Sequence, residues 1–149
     1  MVDSNICSMY DKRMKGLVHA AVGFAADGQG NGVAYARVGH SAARVLRVPF
    51  TVKRYPALLD REVGYGALIA VSDALRRRGC ERVRFFVDDE RLVRDVLEHR
   101  DVPAPLTLAY VRLGCALNQL REYEIAGSPQ GESDLTARAR SEVAMHVAA

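Results

Sequence analysis

Arg82-Val83-Arg84-Phe85-Phe86-Val87-Asp88-Asp89 is the stretch that decides how this chain folds, because it reads as a strand ending in two carboxylates. The residues after it, Glu90 to Leu97, switch to helical spacing and place Leu92, Val93, Val96 and Leu97 on one stripe. A second strand, Arg121 to Ala126, leads through a Gly/Pro loop to Asp134 at the start of the last helix. Carboxylates at the carboxyl end of a buried strand are where α/β proteins often hold a metal, so Asp88, Asp89 and Asp134 point to a divalent-metal nuclease.

Working outward, Leu17 to Phe24 reads as the first strand, and Gly28-Gln29-Gly30-Asn31-Gly32 as a hairpin turn into a second strand, Gly32 to Gly39. Ala43 to Val52 makes a third, and its Pro49 demotes it toward a sheet edge. A long helix spans Asp60 to Arg78, with Asp60 as its N-cap and Gly79 as its stop. Val102-Pro103-Ala104-Pro105 separates the helix after Asp89 from a further helix, Leu106 to Leu120. The order β-β-β-α-β-α-α-β-α predicts an α/β domain with a mixed five-stranded sheet over residues 17–149, preceded by a loose polar arm, residues 1–16.

Four blocks in this order resemble the type-1 ribonuclease H fold, in particular its reverse-transcriptase-like branch. They are the strand and Gly-rich hairpin Ala20 to Tyr35, the helix Gly64 to Leu75, the strand and helix around Asp88 and Asp89, and Gly131-Glu132-Ser133-Asp134, which is similar to the family's terminal Glu-x-Asp element. The resemblance implies a ribonuclease H-like α/β domain. In active relatives it also implies four acids that hold two magnesium or manganese ions (Mg2+ or Mn2+) and cut the RNA strand of an RNA–DNA hybrid.

Matched residue by residue, the resemblance puts Gly23 at the first acid position and Gly64 at the second. The nearest substitutes are Asp27 and Glu62. Asp27 lies four residues later, about 13 Å of extended chain, and Asp27-Gly28 is itself a turn signal. Glu62 is two helical residues from Gly64, about 200° around the axis, and faces away unless the helix is irregular near Asp60. For the third acid, strand length favours Asp88 and helix register favours Asp89; the reading takes Asp89. Asp134 matches the fourth directly, and it also suits an N-cap. Asp89 and Asp134 are then the retained acids and half of a weak metal site, and no loop histidine stands between Ala126 and Gly131.

The chain has 149 residues and a net charge of +3, with eighteen arginines against three lysines. Arginine suits bidentate phosphate contact, although a compositional bias produces the same excess. Arg76, Arg77 and Arg78, with Lys53 and Arg54, are the candidate nucleic-acid-binding residues; the bland role for the arginine run is to complement a helix C-terminus. Three cysteines, Cys7, Cys80 and Cys115, share no metal-ligand spacing and are read as reduced thiols. Charges throughout Met1 to Lys15 leave no apolar signal segment, and no stretch reaches membrane-spanning length, so a soluble, cytoplasmic chain is expected.

With two acids of four, the leading expectation is a catalytically degenerate ribonuclease H-like domain that acts as a nucleic-acid-binding or assembly module, with RNA–DNA hybrid or RNA as partner. The alternative is a divergent active enzyme using Asp27, Glu62, Asp88 or Asp89, and Asp134. A third reading is a protein-interaction scaffold, with a homodimer through an exposed sheet edge.

Overall fold

The structure is a computed structural model, and it describes residues 17–39, 44–53, 59–98, 102–128 and 134–148. Five strands form one sheet: β1 (Val18–Ala26), β2 (Asn31–Val38), β3 (Val45–Thr51), β4 (Arg82–Val87) and β5 (Glu122–Gly127). Their order is β3-β2-β1-β4-β5. The hairpin-linked strands β1, β2 and β3 pair antiparallel, while β4 and β5 join parallel after crossovers. This is the mixed sheet predicted from the element order, and Pro49 lies on an edge strand, where its missing N–H breaks no interior ladder.

The helices are α1 (Leu59–Arg77), α2 (Glu90–Glu98), α3 (Thr107–Asn118) and α4 (Asp134–Ala148), with a short 3-10 turn, Ala104–Leu106, before α3. The long helix begins at Leu59, so Asp60 sits in its first turn, where a negative charge favours the dipole, instead of at the N-cap. It ends as predicted at Gly79, whose φ of 87° is the left-handed conformation that glycine adopts freely. The Gly79 N–H bonds to the Arg76 carbonyl and the Cys80 N–H to the Leu75 carbonyl, which completes a Schellman cap.

Strand alternation sends Val18, Ala20 and Val22 to one face of the sheet, together with Ala34, Ala36, Val38, Phe85 and Val87. The helices α1, α2 and α3 close this face with Tyr65, Leu68, Val71, Leu92, Leu113 and Leu117, and this is the main core. Between α1 and α2, the buried Asp95 accepts hydrogen bonds from Arg61 and from the Tyr65 hydroxyl, so a charge inside the core is paired.

The opposite face carries a smaller cluster in which Leu135, Ala139 and Val143 of α4 pack on Val33 and Tyr35. The apolar stripe of the last helix therefore rests on β1 and β2. Farther along that face the strands β4 and β5 carry Arg82–Glu122 and Arg84–Glu124 ion pairs.

One expectation changes. Cys80 is disulfide-bonded, which corrects its reading as a reduced thiol, whereas Cys115 is a free, exposed thiol as expected. The arm of residues 1–16, including Cys7, lies outside the described residues, as does Arg54. No described helix is long and apolar enough to cross a membrane.

Candidate metal centre

The pairing of β1 with β4 fixes the centre of the site. Val22 lies beside Val87, the last residue of β4, so Gly23 within β1 and Asp88 after β4 follow where the parallel pairing stops. Gly23 is buried, and the first turn of α4 lies directly on it. A Cβ on Gly23 would stand 2.3 Å from the Thr136 amide nitrogen and 2.6 Å from the Leu135 carbonyl carbon. Both neighbours are backbone of a packed helix, so residue 23 has no room for any side chain.

The two consecutive aspartates do different things. Asp88 faces α4, and its Oδ2 accepts a hydrogen bond of 3.3 Å from the buried Thr136 hydroxyl. Asp89 turns toward the next helix, where its Oδ1 accepts the Leu92 N–H at 3.1 Å. Because α2 begins at Glu90, Asp89 is the residue before the first helical turn and works as its N-cap. The strand-end position beside Gly23 is thus held by Asp88.

Asp134 opens α4 and is half exposed. It forms an ion pair with the Arg37 guanidinium at 2.5 Å, across 97 residues of chain. Arg37 lies on β2 opposite Ala21 of β1, so a cation from the sheet reaches the aspartate that opens α4.

The other sequence candidates lie elsewhere. Asp27 is folded into the hairpin, its Oδ1 accepting the N–H groups of Gln29 and Asn31 at 2.8 and 3.0 Å. Those bonds hold its carboxyl below the usual range, as a turn aspartate's should be. Gly64 faces Leu92 and Phe24, whose carbons would lie 3.4 and 3.5 Å from an added Cβ. Glu62 projects from another side of the helix, into a cleft with Lys53 and Arg112. Burial pushes its carboxyl up, and the Lys53 charge opposes that shift.

Among the described residues, no three of His, Cys, Asp and Glu are placed to hold a metal ion. Where the β1–β4 pairing ends, the described residues bring one carboxylate, Asp88, beside Gly23; a two-ion centre draws its ligands from converging carboxylates.

The arginine run is placed at the far end of α1. About thirteen helical residues separate it from Gly64, or about 20 Å along the axis. Arg76 lies 3.7 Å from Asp73 on its own helix, and Arg78 donates to the Ala74 carbonyl at 3.2 Å. These are helix-terminus contacts, so the run and the strand-end acids do not share one surface.

Arg37 and Thr136 are the residues that sequence reasoning passed over. Arg37 sits in an alternating strand and reads there as an ordinary polar position. Its pairing with Asp134 has no local signal. The same holds for Tyr35 and Arg47, which both bond Glu142 of α4 across the sheet.

No protein-family model matches the chain, and no curated protein matches it. Solved structures do. The RNase H1 of the halophilic archaeon Halobacterium salinarum superposes with a TM-score of 0.68 at 19% identity, covering 88% of this chain and 99% of that one. The N-terminal RNase H domain of a Mycobacterium tuberculosis protein gives 0.59 at 17% identity, covering 87% and 99%. LC11-RNase H1, in complex with an RNA/DNA hybrid, gives 0.61 at 14% identity, covering 89% and 99%. The strand order, the helix that crosses behind the sheet and these superpositions agree that the chain has the ribonuclease H fold.

Proposed function

We propose that residues 17–149 form a catalytically degenerate ribonuclease H-like domain that serves as a nucleic-acid-binding or assembly module, with residues 1–16 as an arm. The observation that carries this reading is the seat of α4 on Gly23. Metal-dependent hydrolysis by this fold needs a carboxylate at the Gly23 position of β1, beside the end of β4, and helix backbone occupies that volume. Two further contacts support it. Asp134 is neutralised by Arg37, and Asp89 is engaged as a helix cap. Asp88 keeps the strand-end position, but one carboxylate hydrogen-bonded to Thr136 is a poor ligand set for magnesium, whose sites depend on ligand number and charge.

Nucleic acid is the first partner to test, because LC11-RNase H1 carries a hybrid on the same fold and this chain spans nearly all of that protein's length. The arginine excess supplies the phosphate-directed charge. A labelled RNA–DNA hybrid should bind at low salt, without sequence preference, and should weaken as salt rises because bound counterions are released. The same hybrid should stay intact with magnesium or manganese. Robust cleavage that disappears in Asp88→Asn would overturn the degenerate reading.

A further inference from the structure

The chain has three cysteines, Cys7, Cys80 and Cys115. Cys80 is disulfide-bonded and fully buried, while Cys115 is a free thiol. Within one chain the remaining sulfur is that of Cys7, on the polar arm. Sheet topology favours this pairing. Strands β1 and β4 run parallel with Val18 beside Val83, so the arm joins the sheet at the end where β4 begins. Cys80 stands at that end, three residues before Val83. Those three residues cover about 10 Å when extended, and the ten Cα steps from Cys7 to Leu17 reach up to about 35 Å, so chain length does not limit the bond.

The arginine run lies at the same end of the domain. Arg76 and Arg77 close α1 and are exposed, and the cap at Gly79 leads directly from the run into Cys80. Between Cys7 and Leu17 the arm carries Lys12, Arg13 and Lys15 against one acid, Asp11.

We propose that a Cys7–Cys80 disulfide latches residues 1–16 beside the end of α1 and joins the cations of the arm to Arg76 and Arg77 in one redox-controlled, polyanion-binding surface. The segment from Cys7 to Leu17 is then held at both ends, so its charges act together with the arginines at a high effective concentration. The latch forms by thiol–disulfide exchange. Two protein thiols and one small disulfide, such as oxidised glutathione, give the protein disulfide and two small thiols, which carry away the electron pair and both protons. A dithiol reductant reverses the exchange and releases the arm. Nucleic acid as the ligand of this surface rests on the function proposed above; the bond itself does not.

Tryptic mapping of the chain oxidised with glutathione disulfide, without reductant, should join the peptides of Cys7 and Cys80 and leave Cys115 open to alkylation. Cys80 found alkylated, or bonded to Cys115 or to a second copy, overturns the latch. At low salt a labelled RNA–DNA hybrid should bind the oxidised chain about fivefold or more tightly than the reduced chain, with a steeper salt dependence because more counterions are released. Cys7→Ser, which leaves the packed Cys80 side chain in place, should bind as the reduced chain does under both conditions. Cys115→Ser should keep the difference. Equal hybrid affinity in the two redox states overturns the switch and leaves the nucleic-acid reading standing. No hybrid binding in either state removes the nucleic-acid reading, and elution from a heparin resin then decides the switch. Earlier elution of the reduced chain and of Cys7→Ser supports it, and coincident elution of all forms overturns it.

Discussion

The amide of Thr136 lies where a side chain on Gly23 would begin, 2.3 Å from the ideal Cβ. Helix and strand can approach this closely only because residue 23 is glycine. Gly23→Ala should therefore force α4 off the sheet and destabilise the domain by about 3 kcal/mol or more, beyond the usual range of overpacking, since the clash is with backbone. Urea denaturation monitored by circular dichroism measures this. A loss below about 1 kcal/mol would show that α4 slides freely and that residue 23 has room for a side chain. Gly23→Asp should be worse, so restoring a metal centre by adding carboxylates at 23 and 64 fails first at residue 23.

Gly64 should behave in the opposite way. An added Cβ would meet only Leu92 and Phe24 carbons at 3.4 and 3.5 Å, ordinary contact distances. Alanine in a helix interior is favoured over glycine by up to about 1 kcal/mol. Gly64→Ala should thus raise the melting temperature by a few degrees. A marked fall would mean that the approach of α1 to α2 is tighter than these distances.

Asp88 and Asp89 are separated by one helix cap. Asp89→Ala removes the acceptor for the Leu92 N–H and should cost about 1 kcal/mol, whereas Asp89→Asn keeps an acceptor and should be close to neutral. Asp88→Ala loses only a long hydrogen bond from Thr136 and should cost less. Equilibrium stability of the three variants orders them. If Asp88→Ala is the most damaging, the division of labour between the two residues is wrong.

That division shows where the sequence stops being legible. The strands, the helix stop at Gly79 and the order of elements follow from local signals of period, turn and cap, and the sheet has the predicted topology. Glu62 facing away from Gly64 also follows from helical geometry. The choice between Asp88 and Asp89 did not, because a strand end and a helix start compete for the same two residues. Helix register favours Asp89 since that register is what makes it a cap. The pairs Arg37–Asp134 and Arg47–Glu142 join residues 97 and 95 apart, so only the folded sheet brings them together. The disulfide at Cys80 has no spacing signal either.

Two glutamates should give opposite pH dependences. Glu142 accepts hydrogen bonds from Arg47 and then from Tyr35, which hold its carboxyl down at about 2, against 4.5 for the unperturbed group. A depressed carboxyl stabilises the fold above its unfolded value, and that stability is lost as pH falls from about 5 toward 2. Glu142→Gln should therefore cost about 1–2 kcal/mol at pH 7, in the range of a charged hydrogen bond, and progressively less on acidification. Glu62 runs the other way, because burial raises its carboxyl. The folded state then holds the proton more tightly than the unfolded chain, so its contribution is fully present below the unfolded value and is lost as pH rises through the raised one. Glu62→Gln stays neutral throughout and should gain stability relative to the parent chain as pH rises from about 4 to 7. Thermal melts of both variants and the parent from about pH 2 to 7 measure the two slopes. Parallel curves for Glu62→Gln and the parent would mean that Glu62 is solvated in the folded chain.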